Sequence, residues 1–177
     1  MEPVAIVAIV GAKGGTGKST LARALLVEAT RAGCRARLVD MDPQASAYDW
    51  ARLRRSQDIE PAVDVVAAST VTDALRGADD LDYLVVDGPG RASATTRELA
   101  ESSDLVVLPS GCSSDDLRPA VRLANELVTS KVPRGQVIAI LSRVGTAGEE
   151  RDARVFLEQA GVPVITGSLP ERPAYRG

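Results

Sequence analysis

The feature that most constrains this chain is a short apolar segment that runs directly into a glycine-rich one. Val4–Val10 is apolar and rich in β-branched residues, and Gly11–Thr20 reads GAKGGTGKST. An apolar stripe with helical spacing follows, at Leu21, Leu25 and Ala29. This order predicts a strand, a loop and a helix, which together form the arrangement that wraps a polyphosphate.

The residues of this loop suit a phosphate chain. Gly14, Gly15 and Gly17 let backbone N–H groups turn inward on one anion without a Cβ in the way. Lys18 supplies a compact positive charge for the β- and γ-phosphates, and Ser19 is placed to ligate Mg²⁺. The first glycine of the strict pattern G-x-x-x-x-G-K-[ST] is alanine here, so the loop is a variant. A plain glycine-rich turn before a helix is the alternative, but such a turn does not require the Gly-Lys-Ser triplet.

Lysine is rare in this chain, so its placement is informative. Of the 21 basic residues only Lys13, Lys18 and Lys131 are lysines, and two of them lie in the loop. Lys131 has no comparable context. We therefore interpret Lys13 and Lys18 as functional residues.

Composition favours one domain with an aliphatic core. The chain has 177 residues, of which 45% are hydrophobic, and we expect residues 1–177 to form a single domain. Only 3% of the residues are aromatic, so platforms that stack single-stranded nucleic acid bases are not expected. A formal net charge of −3 argues against a generally basic surface, although it leaves open a basic patch that forms in a dimer.

The cysteine and histidine content excludes several chemistries. The chain contains no histidine, which excludes histidine metal sites and histidine-dependent catalytic triads. Cys34 and Cys112 are far apart and form no CxxC pair, as expected for small buried side chains in a reducing cytosol. The first apolar run follows Glu2 and leads into the glycine loop, so we interpret it as a strand and not as a signal peptide. We therefore expect a cytoplasmic protein without a membrane span.

Apolar runs alternate with helical patterns along the whole chain, which predicts an α/β fold. The phosphate-binding loop after the first strand indicates an α/β fold of the P-loop NTPase type. We expect a mainly parallel twisted sheet with helices on both faces, in a three-layer sandwich. The predicted strands are Val4–Val10, Arg37–Val39, Val63–Ala67, Tyr83–Val86, Leu105–Leu108, Val137–Leu141 and Val164–Ile165. The predicted helices are Lys18–Ala32, Ala45–Arg55, Val71–Arg76, Ala94–Glu101, Asp115–Thr129 and Glu149–Gln159.

Three carboxylates follow predicted strands. Asp40 and Asp42 lie in VDMDPQ, and Asp87 ends the apolar run of LVVDG. Ligands of an open parallel sheet bind where the carboxyl ends of its strands emerge, so these residues are expected to meet the phosphate loop. A carboxylate such as Asp87 at a strand end suits a magnesium shell. Residues i and i+2 at a strand end face the same side, so Asp40 and Asp42 could both face the nucleotide. Ordinary turns at Asp-Gly and Asp-Pro are the alternatives.

Beyond these motifs, the chain resembles the ParA/MinD family of deviant Walker A ATPases. Lys13–Thr20, with a lysine five residues before the phosphate-loop lysine, is similar to the family's Walker A signature. Asp40–Gln44 resembles its Walker A′ or switch I motif, and Asp87–Pro89 stands at its Walker B and switch II position. The resemblance continues through Asp104–Ala120 and at LSR and LPERPAYR, so it spans nearly the whole chain. The spacing looks most like that of the compact ParF-type partition ATPases.

The resemblance implies ATP or ADP and Mg²⁺ as ligands. Lys18 would neutralise charge on the β- and γ-phosphates, Ser19 would ligate Mg²⁺, and Thr20 would contact the α-phosphate. Lys13 would be the signature lysine that crosses an ATP-bound homodimer to the partner's phosphates. The nucleotide-binding residues that we predict are Gly14, Gly15, Thr16, Gly17, Lys18, Ser19 and Thr20.

It also implies a role for each carboxylate. Asp42 would orient the attacking water, Asp40 would support the metal site, and Asp87 would act through the magnesium shell. Phosphoryl transfer needs positioning and charge rather than covalent help, which fits a site without histidine. The predicted catalytic residues are Lys13, Lys18 and Asp42, and the predicted metal residues are Ser19, Asp40 and Asp87.

The function implied by the resemblance is that of a partition or positioning ATPase. Its ATP-bound dimer would bind DNA without sequence preference and be nucleoid-associated, and a cargo-bound protein of the ParB or centromere-binding type would stimulate hydrolysis and release. Such a cycle segregates plasmids or other large cargo. Arg143, Arg172 and Arg176 are candidate DNA contacts. Similar proteins usually continue into a further helix and residues that close over the adenine.

Three other functions occur among proteins with this loop. An electron-transfer or metallocluster carrier of the nitrogenase iron protein type needs paired cysteines at a dimer face, and only Cys112 lies in a suitable predicted loop. Membrane positioning of the MinD type uses a C-terminal amphipathic helix, whereas LPERPAYRG has two prolines and no apolar face, so we expect no membrane partner. A bacterial tyrosine kinase ends in a tyrosine cluster, which this sequence does not contain.

Overall fold

A sheet of seven strands forms the centre of the molecule. The structure, a computed structural model, describes residues 4–171. In this range no helix is both long and apolar enough to cross a membrane. The strands are Ala5–Ile9 (β1), Ala36–Asp40 (β2), Asp64–Ala67 (β3), Tyr83–Asp87 (β4), Leu105–Ser110 (β5), Val137–Val144 (β6) and Val164–Pro170 (β7). The helices are Lys18–Arg31 (α1), Ser46–Ser56 (α2), Val71–Ala74 (α3), Ala94–Glu101 (α4), Ser114–Thr129 (α5) and Ala147–Gln159 (α6), with a 3-10 turn at Arg134–Gln136.

The strand order places β1 at the centre of the sheet. The order is β3-β2-β4-β1-β5-β6-β7, and all neighbouring strands pair in parallel. In the pairing of β1 with β4, Ile9 lies beside Asp87, and in that of β2 with β4, Asp40 lies beside the same residue. The loop after β1 is therefore flanked by the ends of β4 and β5, at a switch point of the strand order where ligands of open parallel sheets bind.

Helices cover both faces of the sheet. Alternate residues of a strand face opposite sides, so each strand contributes buried side chains to both faces. Ile9 of β1 lies in one buried cluster with Leu21 and Leu26 of α1, to which α2 also contributes. Ala8 lies in the other cluster, which contains Leu99 of α4 and residues of α3, α5 and α6. The result is the three-layer α/β P-loop fold that the sequence predicts, with an all-parallel sheet.

The predicted strands and helices are confirmed, with differences at their ends. β6 continues to Val144 and β7 to Pro170, beyond the predicted ends at Leu141 and Ile165. Several of these added residues are small or polar, so they show no apolar strand pattern, and pairing between the two strands holds them in place. α3 has only four residues, fewer than predicted.

The C-terminal end of α1 is set by a glycine. Gly33 follows the cap residue of the helix and has a φ of 81°. The N–H of Gly33 donates to the carbonyl of Thr30, and the N–H of Cys34 donates to that of Ala29, which is the Schellman arrangement. Glycine at this left-handed position ends the helix and turns the chain towards β2.

Candidate nucleotide-binding site

A cavity of about 310 Å³ opens at the carboxyl edge of the sheet. It is bounded by the glycine-rich loop and the start of α1, by the segment after β2, and by the ends of β6 and β7. The structure thus brings most of the predicted loop residues together with Asp42. The lining residues are Gly14, Gly15, Gly17, Lys18, Ser19, Thr20, Asp42, Ser142, Arg143, Leu169, Pro170 and Glu171.

Two glycines are required by the backbone shape of the loop. Gly15 and Gly17 have φ values of 76° and 92°, which residues with a side chain rarely adopt. Gly17 is also the N-cap of α1, and no side chain caps this end of the helix. The first N–H groups of α1 therefore remain available to an anion, which the helix dipole also favours.

Lys18 lies inside the loop with spare hydrogen-bonding capacity. The residue is 6% exposed, and its Nζ donates to the carbonyl oxygen of Lys13 at 3.5 Å. At this distance a carbonyl oxygen is a weak partner for a buried ammonium group, because charge-assisted hydrogen bonds are much shorter. The position of Lys18 therefore meets the requirement for a lysine that binds phosphate.

Asp87 is a buried carboxylate at the end of β4. It is fully shielded from solvent, and neither of its oxygens has a hydrogen-bond partner in residues 4–171. Burial raises the pKa of Asp87 to about 6, with a partial offset from the nearby Ser19 and Lys18 and reinforcement from the charge of Asp40. Ser19 is close enough to affect this pKa, yet its hydroxyl completes no hydrogen bond with the carboxylate. A buried carboxylate without partners is costly, and it indicates a place for a cation.

The residues near Asp87 fit a magnesium ion that is shared with phosphates. Ser19 lines the cavity and lies beside Asp87. Magnesium in nucleotide sites takes few protein ligands and keeps waters and phosphate oxygens in its shell. No group of three or more His, Cys, Asp or Glu side chains in the described residues is arranged to hold a metal. Ser19 and Asp87 are thus the residues that would hold the ion together with a nucleotide.

Asp40 anchors the segment after β2 and does not line the cavity. Its Oδ1 accepts the N–H of Asp42 at 3.0 Å, and its Oδ2 accepts the N–H groups of Ala47 and Tyr48 at 2.8 and 3.1 Å. The N-cap residue of α2 offers no side-chain cap, so Asp40 caps this helix from the strand. These bonds give Asp40 a structural role, and its support of the metal stays a prediction.

Asp42, in the segment after β2, borders the cavity. Its Oδ1 accepts the N–H of Gln44 at 3.0 Å. A Cβ at Gly90 would lie 3.0 Å from Oδ2 of Asp42, so the glycine leaves room for this carboxylate. Asp42 therefore lies against the segment that follows β4, the strand that Asp87 ends.

Lys13 is held by α5 of the same chain. Its Nζ lies 2.8 Å from Oδ1 of Asp116, and the two side chains are 43% and 12% exposed. Asp116 also accepts the hydroxyl of Ser113 at 2.9 Å and pairs with Arg143 at 3.3 Å. Burial alone raises the pKa of Asp116, but the hydrogen bonds from Lys13 and Ser113 outweigh it and hold the pKa below its usual value. The predicted signature lysine therefore has a partner within the chain while its side chain keeps access to solvent.

Sequence reasoning does not find Ser142, which ties the loop to β6. Ser142 is buried, and its hydroxyl donates to the carbonyl of Thr16 at 2.6 Å. Thr16 is also buried, and its own hydroxyl has no partner among the described residues. The two residues are 126 positions apart, so only the strand order brings them together. Asp116 is missed for the same reason.

Of the three candidate DNA contacts, one lies within the described residues and two lie outside them. Arg143 lines the cavity, has a φ of 54° and pairs with Asp116, so it lies at the candidate nucleotide site. Arg172 and Arg176 lie outside the described residues, as does most of the tail on which the expectation of no membrane helix rests.

The two cysteines are not brought together. Cys34 precedes β2 and Cys112 follows β5, which places them at opposite edges of the parallel sheet. Both are free thiols, and burial raises the pKa of Cys112. Nothing in this placement resembles a cysteine pair for a metallocluster within one chain.

Comparison with known proteins identifies relatives of the whole chain. The model of the CobQ/CobB/MinD/ParA nucleotide binding domain matches residues 7–176. The chain is 27% identical to Protein ParA of Rhizobium radiobacter, over 96% of this chain and 80% of that protein. It is 29% identical to maintenance of carboxysome distribution protein A (McdA) of Gloeobacter kilaueensis, over 96% of this chain and 78% of that protein.

Solved structures share the fold. The septum site-determining protein MinD of Pyrococcus horikoshii, complexed with Mg-ADP, matches with a TM-score of 0.72 and 19% identity over 98% of this chain and 84% of that chain. An ATP complex of a McdA variant from Cyanothece matches with a TM-score of 0.76 and 15% identity over 99% of this chain and 86% of that chain. At these identities the likeness shows the fold alone.

The fold and the cavity define a P-loop nucleotide-binding protein. Because the family model matches nearly its whole length, the chain belongs to the family of CobQ/CobB/MinD/ParA nucleotide binding domains. This confirms the predicted ParA/MinD family. The closer likeness to compact ParF-type proteins stays a prediction.

Proposed function

We propose that this protein is a Mg²⁺-dependent ATPase of the partition or positioning type. The observation that carries the proposal is Asp87, whose buried carboxylate has no hydrogen-bond partner in the described residues, is close to Ser19 and lies within electrostatic reach of Lys18. A divalent cation bound with a triphosphate would satisfy this carboxylate. Membership of a nucleotide-binding family supports the same ligand.

The loop side of the cavity would bind the phosphates. The uncapped first turn of α1 offers its N–H groups, and the ammonium group of Lys18 adds charge that its weak carbonyl contact does not use. Thr20 lines the cavity beside Ser19, as a contact to the α-phosphate requires. Ser19 and Asp87 would hold Mg²⁺, which neutralises charge on the β- and γ-phosphates when it is bound.

Asp42 is the residue that we assign to the attacking water. It is the one carboxylate among Asp40, Asp42 and Asp87 that lines the cavity, and Gly90 leaves space beside its Oδ2. A carboxylate that accepts a hydrogen bond from water orients the oxygen lone pair for in-line attack, which is mainly a matter of position. Asp40 contributes by fixing the N–H of Asp42.

Lys13 would complete the site of a partner copy in an ATP-bound homodimer. Its side chain is 43% exposed, so it can reach beyond its own subunit. Its departure would leave Asp116 with Ser113 and Arg143, so that carboxylate would keep two partners. Exchange of the Asp116 carboxylate for a partner's phosphate by Lys13 therefore costs the monomer little free energy.

The wider cycle is proposed from the relatives. One relative is a ParA protein, and another is named for carboxysome distribution. We infer that residues 1–177 form one cytoplasmic domain whose ATP-bound dimer binds DNA without sequence preference and is released when a cargo-bound protein of the ParB type stimulates hydrolysis. Since the chain has a net charge of −3, the DNA contact requires a local basic patch formed by the dimer, with Arg143 as a candidate.

Size-exclusion chromatography with nucleotide and duplex DNA tests this proposal. With ATP and Mg²⁺ the protein is expected to elute as a dimer and to co-elute with DNA of any sequence, less so as salt is raised. With ADP it is expected to elute as a monomer without DNA. Equal DNA retention with ADP and ATP would contradict the cycle, and a stable dimer without any nucleotide would contradict the role of ATP in assembly.

A further inference from the structure

An arginine outside every motif holds the start of α2. Arg23, in the second turn of α1, donates from Nη2 to the carbonyl of Ser46 at 2.5 Å. Ser46 is the first residue of α2, and its hydroxyl lies 3.4 Å from the hydroxyl of Ser19. The beginning of α2 is therefore tied to α1 and to the magnesium side of the phosphate loop.

The side chain of Arg23 is itself fixed in place. It is half-buried, and its guanidinium carbon lies 5.5 Å from the centroid of the Trp50 ring in α2. Burial lowers the pKa of Arg23 and the charges of Asp87 and Asp40 oppose this, so the arginine lies within electrostatic reach of both carboxylates. Its Nε is buried without a partner in the described residues, which costs stability.

These contacts restrict the position of Asp42, because only a short segment of chain lies between two fixed points. Asp40 holds the N–H of Asp42 at one end, and Arg23 holds Ser46 at the other. Only three residues separate Asp42 from Ser46. With both ends fixed, so short a segment has few conformations, and loss of either anchor increases their number.

We propose that Arg23 is a positioning residue for hydrolysis, which fixes Ser46 and through it the place of Asp42 in the cavity. The kinetic consequence rests on the proposed ATPase function. The structural consequence, an ordered segment Met41–Tyr48, does not depend on that function.

The test compares Arg23→Met with a matched control, Arg54→Met. Arg54 also lies over Trp50, at 5.1 Å, but its Nη2 donates to the carbonyls of Ile59 and Pro61. The control therefore removes a similar cation–π contact and keeps the bond to Ser46. We expect Arg23→Met to lower kcat for Mg²⁺-ATP about tenfold with little change in KM, because a small displacement of a positioned group is enough for such a loss.

Amide hydrogen exchange supplies the second readout. In Arg23→Met the N–H groups of Asp42, Ala47 and Tyr48 are expected to exchange faster, whereas Arg54→Met is expected to leave them as in the parent. Arg23→Lys retains a donor for Ser46 and is expected to recover part of kcat and of the protection. This milder variant also carries the comparison if Arg23→Met does not fold.

Different outcomes contradict the positioning role of Arg23 and the proposed ATPase function. If the parent hydrolyses ATP but the Arg23 and Arg54 variants match in kcat and in exchange, the inference is overturned. If the parent does not hydrolyse ATP at all, the proposed function fails. In that case the exchange data alone decide whether Arg23 orders the segment.

Discussion

The two sides of the phosphate loop are built on opposite principles. On the side of β4, Asp87 and Lys18 are buried charges whose hydrogen-bonding capacity is not used within the described residues or is used only weakly. On the side of β5, Lys13 is 43% exposed and has a close ion pair with Asp116. Buried charges without good partners destabilise the ligand-free protein, whereas an exposed pair contributes little and is easily exchanged. The β4 side is therefore preorganised for a ligand, and the β5 side is able to change partners.

The largest effect is expected on the buried side, at Lys18. Lys18→Ala removes a buried cation from the phosphates, so affinity for Mg²⁺-ATP is expected to fall by about 3–5 kcal/mol, on the order of 1,000-fold. Isothermal titration calorimetry measures this loss. Lys131→Ala, which changes an exposed lysine in the turn after α5, is the control and is expected to bind ATP as the parent does. Unchanged affinity in Lys18→Ala would remove the phosphate-binding role.

The next effect is expected at Asp42, between the two sides. Asp42→Ala is expected to lower kcat about 100-fold while ATP affinity stays near that of the parent, because the carboxylate acts on water rather than on the nucleotide. The ATP-bound dimer is then expected to persist in chromatography. Asp49→Ala, on the exposed face of α2, serves as the control. Hydrolysis at the parent rate in Asp42→Ala would lead us to withdraw the water-positioning role.

A smaller effect concerns the stability of the ligand-free protein. Because the pKa of Asp87 is raised to about 6, its protonated form favours the folded state, and this contribution is full below pH 4 and lost as the pH rises through 6. The free energy of unfolding is expected to fall by about 1–2 kcal/mol from this group between pH 5 and pH 7.5. Urea unfolding at both pH values measures it.

Asp87→Asn isolates that contribution. The variant is expected to lose this part of the pH dependence and to be more stable than the parent at pH 7.5 without ligand, since the amide carries no charge to bury. Asp49→Asn, which neutralises an exposed carboxylate, is expected to follow the parent. A loss of stability between pH 5 and pH 7.5 in Asp87→Asn that is as large as in the parent, or larger, would contradict the assignment of the raised pKa to this residue.

The smallest effect on the monomer itself is expected on the exposed side, at Lys13. Lys13→Ala is expected to change the free energy of unfolding by less than about 1 kcal/mol and to leave ATP binding by the monomer intact. Dimerisation with ATP and the hydrolysis that depends on it are expected to be lost. Arg31→Ala, which breaks an exposed ion pair with Glu28, is the stability control. A Lys13→Ala protein that still forms the ATP dimer would show that Lys13 does not act across subunits.

The sequence predicts the fold and the β4 side of the site better than it predicts the β5 side. Strand–loop–helix order, glycines and a terminal aspartate are local signals, and the parallel sheet then brings Asp87 to the loop. The partners of Lys13 and Thr16 are Asp116 and Ser142, which come from distant elements and have no signal of their own.

Local patterns also mislead at one carboxylate. Residues i and i+2 at a strand end are expected to face the same side, yet Asp40 turns to the N–H groups at the start of α2 while Asp42 lines the cavity. The missing cap of α2 explains the difference, because the helix end needs an acceptor that its own N-cap residue does not supply. The role of Arg23 is not predicted either, because a lone arginine on a helix has no sequence pattern that indicates a bond to Ser46.

The most direct measurement is the gain in ATP affinity that Mg²⁺ brings, compared between the parent and Asp87→Asn by calorimetry at pH 7.5. If the buried carboxylate and Ser19 hold the ion, Mg²⁺ strengthens ATP binding in the parent and adds much less in the variant. An equal gain in both proteins, or no binding of ATP by the parent under either condition, would contradict the account.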